Sequence, residues 1–97
     1  MIRHTVTFKL KHEAGTPQEQ AFLAKAQALA LIPGVEKFEV LKQISTKNDY
    51  DFGLSMEFVS QAEYDAYNQH PEHVSFVENV WMVEVLSFME IDYLVES

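Results

Sequence analysis

No cysteine occurs among the 97 residues, which excludes disulfides and thiolate chemistry and leaves the redox compartment open. Basic side chains are scarce. Lys and Arg number 7 against 15 Asp and Glu, a net charge of −8. Nucleic acid requires a basic surface for its phosphates, so it is excluded as a partner, and the acidity serves solubility. The three glycines are scattered at Gly15, Gly34 and Gly53, so there is no Gly-rich phosphate loop and no Gly-x-Ser-x-Gly elbow. No apolar run approaches the ~18 residues of a membrane span. The start, Met1-Ile2-Arg3-His4-Thr5, alternates apolar and polar residues and does not read as a secretory signal. A cytoplasmic chain without a membrane partner is the expectation.

The length and 47% hydrophobic content fit one domain spanning residues 1–97. A chain this short buries only a little over ~60% of its unfolded surface, so self-association would help it. Ile2, His4, Val6, Phe8 and Leu10 alternate with polar residues, the period of a strand with one buried face. Thr16-Pro17-Gln18-Glu19 is a capping box with proline at the first helical position. The helix it opens carries an apolar stripe through Phe22, Ala26 and Leu29 and stops at Pro33-Gly34. Residues 35–44 read as a second strand, with Phe38 and Val40 inward and Lys37 and Glu39 outward. Phe52, Leu54, Met56 and Phe58 mark the third. A second capping box at Ser60-Gln61-Ala62-Glu63 opens a helix that ends near Asn68. Pro71 disfavours helical geometry at His70 and suits the first position of a new helix. In that helix His73, Val77, Val80 and Trp81 share a face. Residues 83–93 are rich in β-prone residues and form the last strand.

Strand, helix, strand, strand, helix pair, strand is the split βαβ order of a ferredoxin-like α+β domain. It predicts a four-stranded antiparallel sheet with helices on one face. The other face carries Thr5, Thr7, Lys9, Lys37, Glu39, Ser55 and Glu57, a polar pattern that periodicity assigns neither to water nor to a second subunit.

The stretch Tyr64 to His73 holds two tyrosines and two histidines around the joint at Pro71. His4 and His73 face inward on elements that pack together, with His70 and Tyr67 nearby. A neutral imidazole is the usual general base near neutral pH, and a tyrosine hydroxyl can donate to a developing oxyanion. Such a pocket suits proton abstraction beside a carbonyl, with Trp81 on the same helix face as His73. The competing reading is that each histidine is a hydrogen-bonded core residue and each tyrosine ordinary packing. A metal site has little support. His70 and His73 stand at i, i+3 where helical zinc pairs use i, i+4, and no third ligand is evident. His12 falls beyond the first strand in a polar context and is expected in solvent.

Several segments together resemble a known family. They are Arg3-His4, Ile32-Pro33-Gly34-Val35, Asp51-Phe52-Gly53-Leu54, Phe58-Val59-Ser60, Tyr67-x-x-His70-Pro71-x-His73-Val74 and Ile91-Asp92-Tyr93. The family is the stress-responsive A/B barrel domain, Dabb, of the dimeric α+β barrel superfamily, and the resemblance spans nearly the whole chain. It implies a homodimer whose sheets pack into a barrel, with a small-molecule pocket between sheet and helices and no cofactor. In a plant member, olivetolic acid cyclase, the histidine matching His73 is taken as general base and the tyrosine matching Tyr67 as its partner. The histidines matching His4 and His70 line that pocket. The resemblance thus implies His73 and Tyr67 as catalytic residues of a cyclase, lyase or isomerase, and His4 and His70 as ligand-binding; Phe52, at a pocket position of the cyclase, and Trp81, on the helix face of His73, are expected as further ligand-binding residues. Phe52 stands where the cyclase has a pocket histidine, and the first helix here lacks the cyclase's tyrosine. A different small ligand, or a non-catalytic oligomeric stress protein, are the alternatives.

Overall fold

The computed structural model describes residues 1–96. Its elements are β1 (Ile2–Leu10), α1 (Pro17–Gln27), β2 (Glu36–Lys42), β3 (Phe52–Phe58), α2 (Gln61–Gln69), α3 (Pro71–Phe76), α4 (Met82–Glu84) and β4 (Val85–Leu94). A 3-10 turn at Ala28–Leu31 extends α1, and a π-helical turn at Val77–Trp81 joins α3 to α4. The strands form one antiparallel sheet in the order β2-β3-β1-β4, with helices on one face, as the split βαβ reading predicts. No helix among the described residues is long and apolar enough to cross a membrane.

Local chemistry accounts for the boundaries. The Thr16 side chain accepts from the Glu19 N–H, and the Ser60 side chain accepts from the Glu63 N–H, so each caps its helix. Pro33-Gly34 turns the chain with Gly34 at φ 91° and a Val35 N–H to Ile32 C=O bond of 3.2 Å, the type II pattern. The positive φ favours glycine there, and a Cβ would also displace the end of the Glu63 side chain, 2.5 Å away. Both edge strands are offset from the sequence reading. β2 is shorter than residues 35–44, and β4 runs from Val85 rather than residue 83.

The core lies between the sheet and the helices. Phe8 is fully buried against Phe22, Phe52 and Trp81, with ring centroids 5.0–6.0 Å apart. Burial of aromatic residues on this scale contributes ~1.5–3 kcal/mol per side chain. The outer sheet face is not uniformly polar. Ser55 and Glu57 are buried within the single chain, whereas Met89, Ile91 and Tyr93 of β4 are exposed. The Arg3 guanidinium donates to Glu57 at 2.5 Å, and Lys37 Nζ stands 3.5 Å from the other carboxylate oxygen. Lys37 reaches it from a β-bulge, where its φ is 50° and two residues of β2 intervene for one of β3. His12 is the other departure from expectation. Rather than standing in solvent, it is half-buried, with Nε2 2.7 Å from the Glu84 carboxylate. The Lys11 N–H donates to the Glu84 carbonyl, so this contact ties the end of β1 to α4.

Candidate functional site

The alternation of β1 that buries Val6 and Phe8 also turns His4 inward, where it is 5% exposed. The sheet register sets Asp92 of β4 directly opposite His4. His4 Nδ1 lies 2.6 Å from Asp92 Oδ1, and because a carboxylate only accepts, Nδ1 carries the proton. Tyr64, on α2, donates its hydroxyl to Asp92 Oδ2 at 2.9 Å and sits 2.9 Å from His4 Nδ1. Two partners therefore hold the imidazole through one nitrogen, which leaves Nε2 as its unengaged nitrogen.

One turn further along α2, Tyr67 is 2% exposed and packs its ring on Phe58 at 5.1 Å and on His73 at 4.4 Å. Its hydroxyl has no hydrogen-bond partner among the described residues. No buried side-chain nitrogen or oxygen among them is left unsatisfied, so this hydroxyl opens to the adjoining cavity. Burial pushes the Tyr67 hydroxyl well above the ordinary tyrosine range, and the negative charge of Glu90 adds to the shift. Burial likewise raises Tyr64, together with its hydrogen bond to Asp92.

Pro71 holds His70 extended, with φ −63° and ψ 134°, and lets a new helix start at once. His73 then falls in the first turn of α3, inward, with Nδ1 donating to the Asn68 carbonyl at 3.1 Å. Burial lowers its pKa below the ordinary 6.5, partly opposed by the Asn68 hydrogen bond. It is thus a neutral imidazole at pH 7, with the lone pair on Nε2.

His4, Tyr67, His73 and Trp81 border one cavity of about 240 Å³ between the sheet and the α2–α4 helices. His73, Val77 and Trp81 all reach it although they are spaced by four, a step that drifts around a regular helix. The π-helical turn rotates less per residue and keeps Trp81 in line. Trp81 meets Phe88 of β4 edge-on at 5.4 Å, at the cavity wall.

Two residues expected at the site stand elsewhere. His70 does not border the cavity. Its Nδ1 accepts from the Glu72 N–H at 3.1 Å, which makes it the N-cap of α3. Phe52 is a core residue packed on Phe8 at 6.0 Å, toward the far end of the sheet, and is not on the wall. The reasons differ: His70 turns its ring back onto the Glu72 N–H, whereas Phe52 points inward as read but pairs with Phe8, toward the other end of the sheet from His4. Three participants escaped the sequence reading as site residues: Asp92, Tyr64 and Glu90. The alternation of Phe88, Glu90 and Asp92 along β4 was the available signal, and it needed the β1–β4 register to acquire meaning. Among the described residues, no group of three or more His, Asp or Glu is arranged to hold a metal ion.

The fold and the chain have clear relatives. A Dabb family protein with a ferredoxin-like fold from Mesorhizobium loti is 52% identical, covering 99% of this chain and 97% of its own, with a TM-score of 0.96. A dimeric protein of unknown function from Bacteroides fragilis, also ferredoxin-like, is 22% identical over 97% and 95% of the two chains, with a TM-score of 0.72. The hydroxynitrile lyase of Passiflora edulis is 15% identical over 98% and 93%, with a TM-score of 0.85. At those lower identities the likeness is one of fold. No curated protein matches the chain. The family model described as the stress responsive A/B barrel domain, Dabb, matches residues 2–95. With that match, and a relative of the same family at 52% identity, this chain belongs to the Dabb family.

Proposed function

We propose that this chain works as a homodimer that binds a small organic molecule in the cavity bordered by His4, Tyr67, His73 and Trp81. The observation that carries the reading is convergence. Three polar rings from β1, α2 and α3 meet at one cavity whose remaining wall is apolar apart from Glu90, with the Tyr67 hydroxyl and His73 Nε2 unpaired among the described residues. Polar groups left open toward an apolar hollow are the common layout of small-molecule sites. Self-association is supported by the exposed Met89, Ile91 and Tyr93 on the helix-free sheet face, and by relatives described as dimeric.

The sharper form of this reading is proton transfer in the cyclase, lyase or isomerase class. A neutral, half-buried His73 is a competent base, and the Tyr67 ring lies against it with its hydroxyl free to donate. The Passiflora edulis neighbour is itself named a lyase. His4, held by Asp92 and Tyr64, supplies a second fixed imidazole.

Native mass spectrometry of protein purified from its own host tests oligomer and ligand together. A dimer carrying a small molecule is expected, with affinity for it reduced roughly tenfold in Tyr67→Phe or His73→Ala and the fold retained, the scale of one lost hydrogen bond to a polar ligand. A monomer at micromolar concentration by sedimentation refutes the dimer. A His73→Ala protein that melts lower but binds its ligand unchanged favours the non-catalytic stress-protein alternative.

A further inference from the structure

The cavity wall is unevenly charged. No lysine or arginine borders it, and its one acidic residue is Glu90. Glu90 projects from β4 on the cavity side, opposite Val6 of β1, and is solvent-exposed. Among the described residues it forms no ion pair, unlike Glu57 and Glu84, which each have a basic or imidazole partner. His4 is paired with Asp92 at 2.6 Å, and His73 is held neutral by burial. The remainder of the wall is largely aliphatic and aromatic, with Phe88 two residues before Glu90 on β4 and Trp81 edge-on to Phe88.

Resting on the small-molecule reading above, we propose that Glu90 is the specificity-determining residue of this cavity: it admits neutral or ammonium-bearing ligands and rejects carboxylates and phosphates. An anion entering the hollow loses water, meets no cation and approaches an uncompensated carboxylate. A neutral molecule pays only for its own polar groups, which His73, Tyr67 and His4 can partner. An ammonium gains the Glu90 carboxylate beside an aromatic wall. The charge of Glu90 already reaches Tyr67, where after burial it adds to the upward shift of the hydroxyl. Because Glu90 is exposed, water and salt screen it, and the discrimination expected is roughly fivefold to tenfold.

A matched set of non-absorbing probes decides the matter: cyclohexylmethanol, cyclohexylmethylamine and cyclohexanecarboxylate. Trp81, the single tryptophan of the chain, reports binding by its fluorescence. The wild-type protein is expected to bind the alcohol and the amine at least about fivefold more tightly than the carboxylate. Glu90→Gln should leave the alcohol within twofold, weaken the amine and strengthen the carboxylate by about fivefold, with the contrast shrinking in high salt. A carboxylate that binds the wild type as well as the alcohol does, or a ratio unchanged in Glu90→Gln, overturns the filter while leaving the cavity a binding site. If none of the three probes alters Trp81 emission, the small-molecule reading itself falls and the filter with it.

Discussion

Arg3 and His4 are neighbours in the chain, yet they build two polar networks on opposite faces of the same sheet. Arg3 points outward and, with Lys37, encloses the Glu57 carboxylate. His4 points inward and, with Tyr64, engages Asp92. The outer network is closed, since both carboxylate oxygens of Glu57 have a cation and the Arg3 guanidinium holds its pKa below the usual carboxylate range. The inner network is open. It satisfies one nitrogen of His4 and leaves the other, along with the Tyr67 hydroxyl and His73 Nε2, at the border of a hollow. Closed networks are structural, while open ones beside a cavity have capacity left for a ligand.

The comparison can be broken most severely from the outside. Glu57→Ala empties a buried position and frees Arg3 and Lys37, whose cations reach solvent, so thermal denaturation should show the largest loss of melting temperature of the changes considered, chiefly from the lost packing. Binding in the cavity should persist at temperatures where the variant is folded. A melting temperature unchanged from wild type would mean that the outer network is not structural.

Asp92→Ala tests the inner network from its hinge. It removes the carboxylate that accepts from both His4 and Tyr64, and chemical denaturation should register a loss of about 1–3 kcal/mol, the cost of buried groups left unsatisfied. Because the freed imidazole can rotate, ligand affinity should fall as well. A variant that loses stability and keeps full affinity would make His4 a packing residue.

The smallest effect expected is a pH dependence carried by His73. Its folded pKa lies below the 6.5 of the unfolded chain, so the unfolded state binds more protons between the two values. Stability therefore falls as pH drops through 6.5 toward the lowered value and then levels off. Melting curves from pH 7 downward should show this decline in the wild type and a shallower one in His73→Gln. Identical slopes would mean that His73 does not titrate abnormally in the fold.

Much of the architecture was legible because it is written in local energies. Period-two alternation sets the inner face of β1 and β3, and the Thr16 and Ser60 caps start α1 and α2 within a residue of expectation. Pro71 separates α2 from α3 by backbone sterics alone. The candidate site was legible in its rings but not in their partners. His4, Tyr67, His73 and Trp81 meet as their inward positions suggested, whereas His70 spends its ring on a backbone N–H two residues away. Asp92 could not be joined to His4 before the β1–β4 register was known, since a slip of one residue would send it to the opposite face.

The sequence by itself thus determined the elements, their order, the inward turn of His4 and His73, and membership of a recognisable family. The tertiary structure alone decided the register that pairs His4 with Asp92, the bulge that brings Lys37 to Glu57, and the π-helical turn within the stretch that carries Trp81. It also decided that Glu90 stands on the wall without a counterion among the described residues. The division has a physical cause. Caps, prolines and alternation act between residues a few positions apart, where propensity is strong enough to read. Register, bulges and cavities are settled by contacts between strands and helices far apart in the chain, and there packing outweighs any local preference.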